Sequence, residues 1–332
     1  MKQNGVITSS PSTFLFGHFF KRLFAISAFL LFSFMAVAQT SDSVYLFCYF
    51  KGNGDGLHYA YSNDGYTWNA MFNDSIILKP TVSKDKLFRD PCIVKGADGK
   101  YHMVWTVSWA DRGLGYASSN DLIHWSEQQF IPVMMHEDSA KNTWAPEINY
   151  DPKNKEYVVY WATTIAERFP QKDTSAEGRK NNHRMYYVTT KDFKNWSKAK
   201  LLYEPGFSVI DATIVRDGAQ YVMFLKNETR SPAEKNLRVA YAKKITGPYS
   251  QAGASITGKY WAEGPTALRI GDEWIVYFDK YTNHTYGAVR SKDLVNWTDI
   301  SDKVSFPRGV RHGTAFKVSR EEFEKMNKAK DQ

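Results

Sequence analysis

Four acidic residues stand at the starts of short apolar segments: Asp90 in RDPCIV, Glu147 in APEINY, Asp211 in IDATIV and Glu263 in EGPTALRI. A fifth segment, RHGTAFKV from Arg311, carries His312 in the corresponding place. Carboxylates facing one another across an aromatic-walled pocket suit cleavage of a glycosidic bond, in which one acid protonates the leaving oxygen while another activates water or attacks carbon. Sugars present polar edges and apolar faces, and Trp109, Trp144, Trp161, Trp261 and Tyr281 lie beside these segments as rings able to stack on them. One at a time the residues have plainer readings. Asp90 before Pro91 and Glu263 before Gly264-Pro265 read as turn residues, and His312 as a hydrogen-bonded core histidine. They make a site only if the chain brings them together.

The elements that would do so appear as a repeat. After residue 43 helical periodicity is nearly absent, and short β-branched and aromatic runs are bounded by Gly, Asp, Asn and Pro, which predicts an all-β chain. A strand followed by Ser/Thr-x-Asp, with Trp four residues after the Asp, recurs four times. The copies are LHYAYSNDGYTW (Asp64, Trp68), LGYASSNDLIHW (Asp121, Trp125), MYYVTTKDFKNW (Asp192, Trp196) and YGAVRSKDLVNW (Asp293, Trp297). LRVAYAKKITGPY, ending at Tyr249, is a degenerate fifth copy. Each follows an aromatic strand (YLFCYF, YHMVWT, YVVYWA, YVMFLK or WIVYFD), and all but the first also follow one of the acidic openers. The missing opener, RHGTAFKV, stands at the other end of the chain. The pattern predicts a five-bladed β-propeller of four-stranded blades, its ring closed by a blade made from both termini, which leaves no free sheet edge. The first strand of each blade then lines the central channel, and Asp90, Glu147, Asp211, Glu263 and His312 converge on one mouth. Trp68, Trp125, Trp196 and Trp297 recur with the motif and are assigned to blade packing.

Composition agrees with a folded domain: of 332 residues, 43% are hydrophobic and 15% aromatic, which excludes a disordered or fibrous chain. Three of the +8 net charges come from Lys2, Lys21 and Arg22, and the rest are interleaved with acids, without the concentrated basic face that a nucleic acid partner requires. Residues 1–38 read as a secretory signal peptide: Lys21-Arg22, an apolar run from Leu23 to Met35, then Ala36-Val37-Ala38 before Gln39. An uncleaved anchor is the alternative. The propeller is assigned to 39–319 and a C-terminal tail or short solvated helix to 320–332. The expected location is periplasmic or secreted, with no membrane span after signal cleavage. Cys48 and Cys92, both inside apolar runs, read as buried free thiols, with a single bridge as the alternative.

The ordered set Arg89-Asp90-Pro91, Trp144-Ala145-Pro146-Glu147, Ile210-Asp211 and Glu263-Gly264-Pro265, supported by Arg311-His312-Gly313, resembles the family 43 glycoside hydrolases across essentially the whole chain after the leader. The resemblance implies an inverting glycosidase acting on arabinose-, xylose- or galactofuranose-containing glycans, read here as an exo-acting α-L-arabinofuranosidase. It implies Asp90 as the general base, Glu263 as the general acid and Asp211 as the group that keeps the acid protonated and oriented. Trp109, Trp144, Glu147, Trp261, Arg311 and His312 are expected to bind substrate. His312 falls where the family often holds a water or a hydrated calcium ion, and no other cofactor is expected. Phe88-Arg89-Asp90-Pro91 also resembles a motif of the retaining, invertase-type family 32 enzymes, but the Asn-Asp-Pro nucleophile and Glu-Cys pair of that family are missing. A non-catalytic sugar-binding propeller is a further alternative, which predicts loss of at least one of the three acids; all three are present. The polar stretch from Glu167 to Arg184 is expected to wall the pocket, which favours exo action.

Overall fold

The computed structural model describes residues 42–330, so the signal peptide expected over 1–38 lies outside the described residues. The aromatic and β-branched runs form strands, and the strands group into five antiparallel sheets. The described residues begin with β1 (Ser43–Tyr49), β2 (His58–Ser62) and β3 (Asn69–Ala70). The first blade is β4 (Arg89–Lys95), β5 (Tyr101–Thr106), β6 (Leu114–Ser119) and β7 (Gln129–Ile131). The second is β8 (Trp144–Asp151), β9 (Glu156–Thr164), β10 (His183–Thr190) and β11 (Lys200–Tyr203). The third is β12 (Val209–Asp217), β13 (Gln220–Asn227) and β14 (Asn236–Ala242). The fourth is β15 (Glu263–Ile270), β16 (Glu273–Lys280), β17 (Thr285–Ser291) and β18 (Thr298–Asp299). Finally β19 (Thr314–Ser319) pairs with β1, Thr314 opposite Cys48 and Ser319 opposite Ser43, so the closing blade reads β19-β1-β2-β3. The fold is a five-bladed β-propeller closed by its two ends, as expected.

Among the described residues five apolar clusters form the core, one between each pair of neighbouring blades. In the cluster joining the fourth and closing blades, Trp68 packs edge-on against Phe47 and Tyr277 at 5.6 Å each. Each blade therefore buries both faces, and removing one exposes two clusters. Cys48 and Cys92 are buried, unbridged members of these clusters.

The repeated Asp is a turn device. Asp121 Oδ1 accepts from the backbone N–H of Ile123 and His124 at 2.9 and 2.7 Å, and Ser119 Oγ accepts from Leu122 N–H at 2.9 Å. Asp64, Asp192 and Asp293 accept the equivalent pairs. The residue after each Asp is left-handed, φ between 57° and 78°. The side-chain bonds hold that conformation where only Gly65 would adopt it readily. Trp125 and Trp297 close the turn by donating Nε1–H to the carbonyl three residues back. The third blade, whose copy is degenerate, departs from the expected four strands. Without Ser/Thr-x-Asp its turn runs Lys243-Lys244-Ile245-Thr246, and only Ser250, Gly253 and Ile256 donate to β14, too sparsely for a ladder. Tyr249 takes the place of the Trp, its hydroxyl donating to Ile245 O at 2.7 Å.

After β19 the chain forms helix α1 (Arg320–Lys330), with Met326 buried and Phe323 against Tyr61 at 5.4 Å. Its Glu322 accepts from Tyr101 Oη at 2.8 Å and pairs with Lys95. No helix among the described residues is long and apolar enough to cross a membrane.

Candidate active site

The mouth of the channel is built on a repeated irregularity. In all four unbroken blades the first strand slips register at its start: between Arg89 and Cys92, Trp144 and Glu147, Ile210 and Thr213, and Glu263 and Thr266. The second residue of each bulge is left-handed: Asp90 at φ 54°, Ala145 at 47°, Asp211 at 53° and Gly264 at 57°. Bulges re-aim side chains, and here they turn successive positions toward one axis. In the closing blade Arg311 N–H donates to Phe50 O while Thr314 faces Cys48, again three residues against two. His312 therefore matches Asp90 and Asp211. Gly264 is required by this packing, because a Cβ there would lie 2.4 Å from the His312 ring.

Asp90, Asp211, Glu263 and His312 meet at a cavity of about 140 Å³, with Trp109 and Trp144 on its rim. Trp144 stands edge-on to Trp109 at 5.6 Å and donates Nε1–H to its carbonyl at 3.1 Å. Asp90 Oδ2 accepts from Thr106 Oγ1 at 2.8 Å, and Oδ1 lies 3.3 Å from His312 Nδ1. Burial alone would push the Asp90 carboxyl up, but His312, Arg89 and Thr106 outweigh it and hold it at about 2. Burial works against the charged imidazole too, yet Asp211, Asp90 and Glu147 carry His312 up to about 9. Asp211 Oδ2 accepts from Gly264 N–H at 3.1 Å, while Oδ1 is 4.0 Å from His312 Nδ1. Burial pushes Asp211 up to about 6 against the pull of His312 and Lys226. Glu263 Oε2 is 2.9 Å from Lys226 Nζ, and Oε1 is 3.4 Å from Arg311 Nη2.

Other expected residues lie outside this cavity. Glu147 occupies the fourth place of its bulge, not the second, and so sits deeper in the channel. It accepts from Thr213 Oγ1 at 2.8 Å, and burial pushes it up to about 7. Arg311 stands behind Glu263, its Nε 2.6 Å from Asp279 Oδ2. Trp261 packs beside Tyr281 at 5.9 Å and lines a separate groove with Asn236 and Tyr260. Trp161 is a core residue, fully buried, donating Nε1–H to Thr163 Oγ1 at 2.8 Å. The stretch 167–184 contributes no described residue to the cavity lining. It packs instead on the loop after β13, where Arg230 pairs with Glu177 at 2.6 Å.

Sequence reasoning missed Thr106, Lys226, Glu228 and Asp279. Thr106, Lys226 and Asp279 share one register position, opposite Arg89, Ile210 and Glu263 on the second strands. Their signal was a polar residue ending an otherwise aromatic run. Among the described residues no three His, Cys, Asp or Glu side chains converge as metal ligands.

An α-L-arabinofuranosidase of Bifidobacterium longum subsp. longum is 24% identical over 241 residues, 64% of this chain and 22% of that enzyme. The match thus spans about a fifth of the curated relative's length. The crystal structure of an α-L-arabinofuranosidase from Lactobacillus brevis superposes with a TM-score of 0.51 at 18% identity, covering 64% of this chain and 72% of that one. A family 43 β-1,3-galactosidase with galactodeoxynojirimycin gives 0.53 at 12% identity, over 70% and 82%. At these identities the likeness to solved structures is one of fold. The model of the family 43-related glycosyl hydrolases, described as a probable glycosyl hydrolase domain, matches residues 42–324. By this match, which spans the whole propeller, the chain belongs to this glycosyl hydrolase family.

Proposed function

We propose that the chain is an exported glycosidase that removes α-L-arabinofuranosyl units from the ends of glycans, with inversion at the anomeric carbon. The observation that carries this reading is the meeting of Asp90, Asp211 and Glu263, from three different blades, at one small cavity rimmed by Trp109 and Trp144. Asp90 is the general base: held at about 2 by its neighbours, it is ionised at any working pH and can take a proton from water. Glu263 is the general acid, giving its proton to the leaving oxygen. Lys226 and Arg311 then stabilise the carboxylate that remains. Asp211 holds the Gly264 amide and so fixes the backbone next to the acid. The names of the two arabinofuranosidase relatives support the sugar, and the leader supports export to the periplasm or beyond.

One observation favours a second assignment of the acid. Asp211, pushed up to about 6 by burial, can carry a proton near neutral pH. Leaving groups separate the two. With Glu263 as acid, Glu263→Gln loses far more activity on alkyl or natural glycosides than on p-nitrophenyl α-L-arabinofuranoside, whose leaving group needs little protonation, whereas Asp211→Asn loses equally on both. The reverse pattern would assign the acid to Asp211. A panel of p-nitrophenyl pentosides and hexosides tests the sugar.

A further inference from the structure

Lys226 is a buried cation at the cavity that the proposed reaction uses only in passing. It sits on β13 with its side chain 4% exposed, Nζ 2.6 Å from Glu228 Oε2 and 2.9 Å from Glu263 Oε2. The Tyr281 ring lies 4.7 Å away. The other oxygen of Glu228 is taken by Lys235, itself buried. Glu228 and Glu263 both line the cavity, so one ammonium is shared between a proposed catalytic carboxylate and a second one beside it.

We propose that Lys226 is a positioning residue whose charge is divided between Glu263 and Glu228, so that Glu228 sets how strongly Lys226 favours the charged form of Glu263. The inference rests on the reading of Glu263 as the acid. A general acid needs its anion stabilised after it gives up a proton, but not so strongly that it never holds one. A lone buried lysine would overshoot. Glu228, tied down by Lys235, draws off part of that charge. Packing alone does not require this arrangement, because a buried ion pair contributes little over apolar residues of the same volume. The other charged and titratable groups around Glu263 include Arg311, Asp211, Asp279, Tyr281 and Tyr286, and Asp90 and His312 line the same cavity. Arg311 is the more distant cation and is already engaged with Asp279.

The test is a ¹³C NMR titration of the Glu263 carboxyl in the full chain labelled on glutamate, the signal assigned by its disappearance in Glu263→Gln. Lys226→Met removes the nearer cation and moves the Glu263 midpoint up by about one pH unit or more. Glu228→Gln removes an anion and leaves Lys226 to Glu263 alone, moving the midpoint down. Lys226→Arg restores the wild-type value to within about half a unit. Opposite shifts support the inference, since simple loosening of the site moves both variants the same way. If Lys226→Met does not fold, Glu228→Gln decides alone: a midpoint unchanged or raised overturns the proposal. The titration needs no turnover, so it can fail while the leaving-group test of the acid succeeds, and the reverse.

Discussion

Two positions recur around the ring, the outer turn after the third strand and the inner bulge at the start of the first. At the outer turn four blades repeat backbone and side chain together. Asp64, Asp121, Asp192 and Asp293 each accept two backbone N–H groups, ahead of a left-handed residue. At the inner bulge four blades repeat the backbone alone: the left-handed residue is Asp90, Ala145, Asp211 and Gly264 in turn. A turn of this kind folds a blade wherever it stands, so the same residue recurs in four of the five. Chemistry at a shared channel is needed once, so one backbone device presents a different side chain from each direction. Within a single chain, that contrast separates scaffold from site.

The largest expected effect breaks the site and spares the scaffold. Asp90→Asn lowers kcat/KM by about 10²–10⁴-fold while the chain still folds cooperatively, its Tm lowered by the lost pairing with His312; a variant keeping more than about a tenth of the rate removes Asp90 from the role of base. The converse substitution is Asp121→Ala on the outer turn. It costs about 1–2 kcal/mol of stability through the two N–H groups left without their carboxylate, and leaves kcat/KM within about twofold. A loss of activity at unchanged stability there would end the distinction between the two positions.

The pH dependence of stability sharpens the comparison, because His312, Asp211 and Glu147 at the channel are held above their ordinary values, whereas the outer-turn aspartates are held below theirs. His312 is raised to about 9, so its contribution is complete below its ordinary value near 6.5 and is lost as pH climbs through 9. Asp211 and Glu147, raised to about 6 and about 7, bind protons more tightly folded than unfolded, so they too favour the fold less as pH rises. Asp90 acts oppositely: its contribution is present above its ordinary value and fades as pH falls toward 2. The apparent Tm should fall between pH 6 and 9, and His312→Gln should flatten the part of that fall above 6.5. A Tm that rises over this range contradicts the charge assignments. The smallest effect belongs to the rim: Trp109 is 45% exposed, so Trp109→Ala should raise KM several-fold with kcat and Tm little changed. A collapse of kcat would place Trp109 in the chemistry.

Much of this was legible because it is periodic. The turn motif marked four blades, and the displaced opener RHGTAFKV marked the closure, since a strand without its neighbours must pair with the one lacking a partner. What was missed depends on register. The bulges make the channel depth of a side chain a matter of its place among four residues, so Glu147 was expected beside Asp90 and Asp211 but lies two residues deeper. Thr106, Lys226 and Asp279 act from second strands, where one polar residue after an apolar run reads as a strand end until pairing puts it opposite the bulge. The third blade lost its fourth strand for a local reason, the missing Asp turn. The degenerate copy pointed to that, but its consequence was not drawn from the sequence.

The central claim is that Asp90 and Glu263 act across the cavity on opposite faces of one sugar ring, with water between the base and the anomeric carbon. Proton NMR of the sugar first released from an aryl α-L-arabinofuranoside, recorded before mutarotation mixes the anomers, tests it directly. The account predicts the inverted β-anomer, with the two carboxyl groups about 6.5–9.5 Å apart around the attacking water. A retained α-anomer would mean a covalent glycosyl-enzyme formed across a gap of about 5–5.5 Å, and would contradict both the assignment of Asp90 and the mechanism.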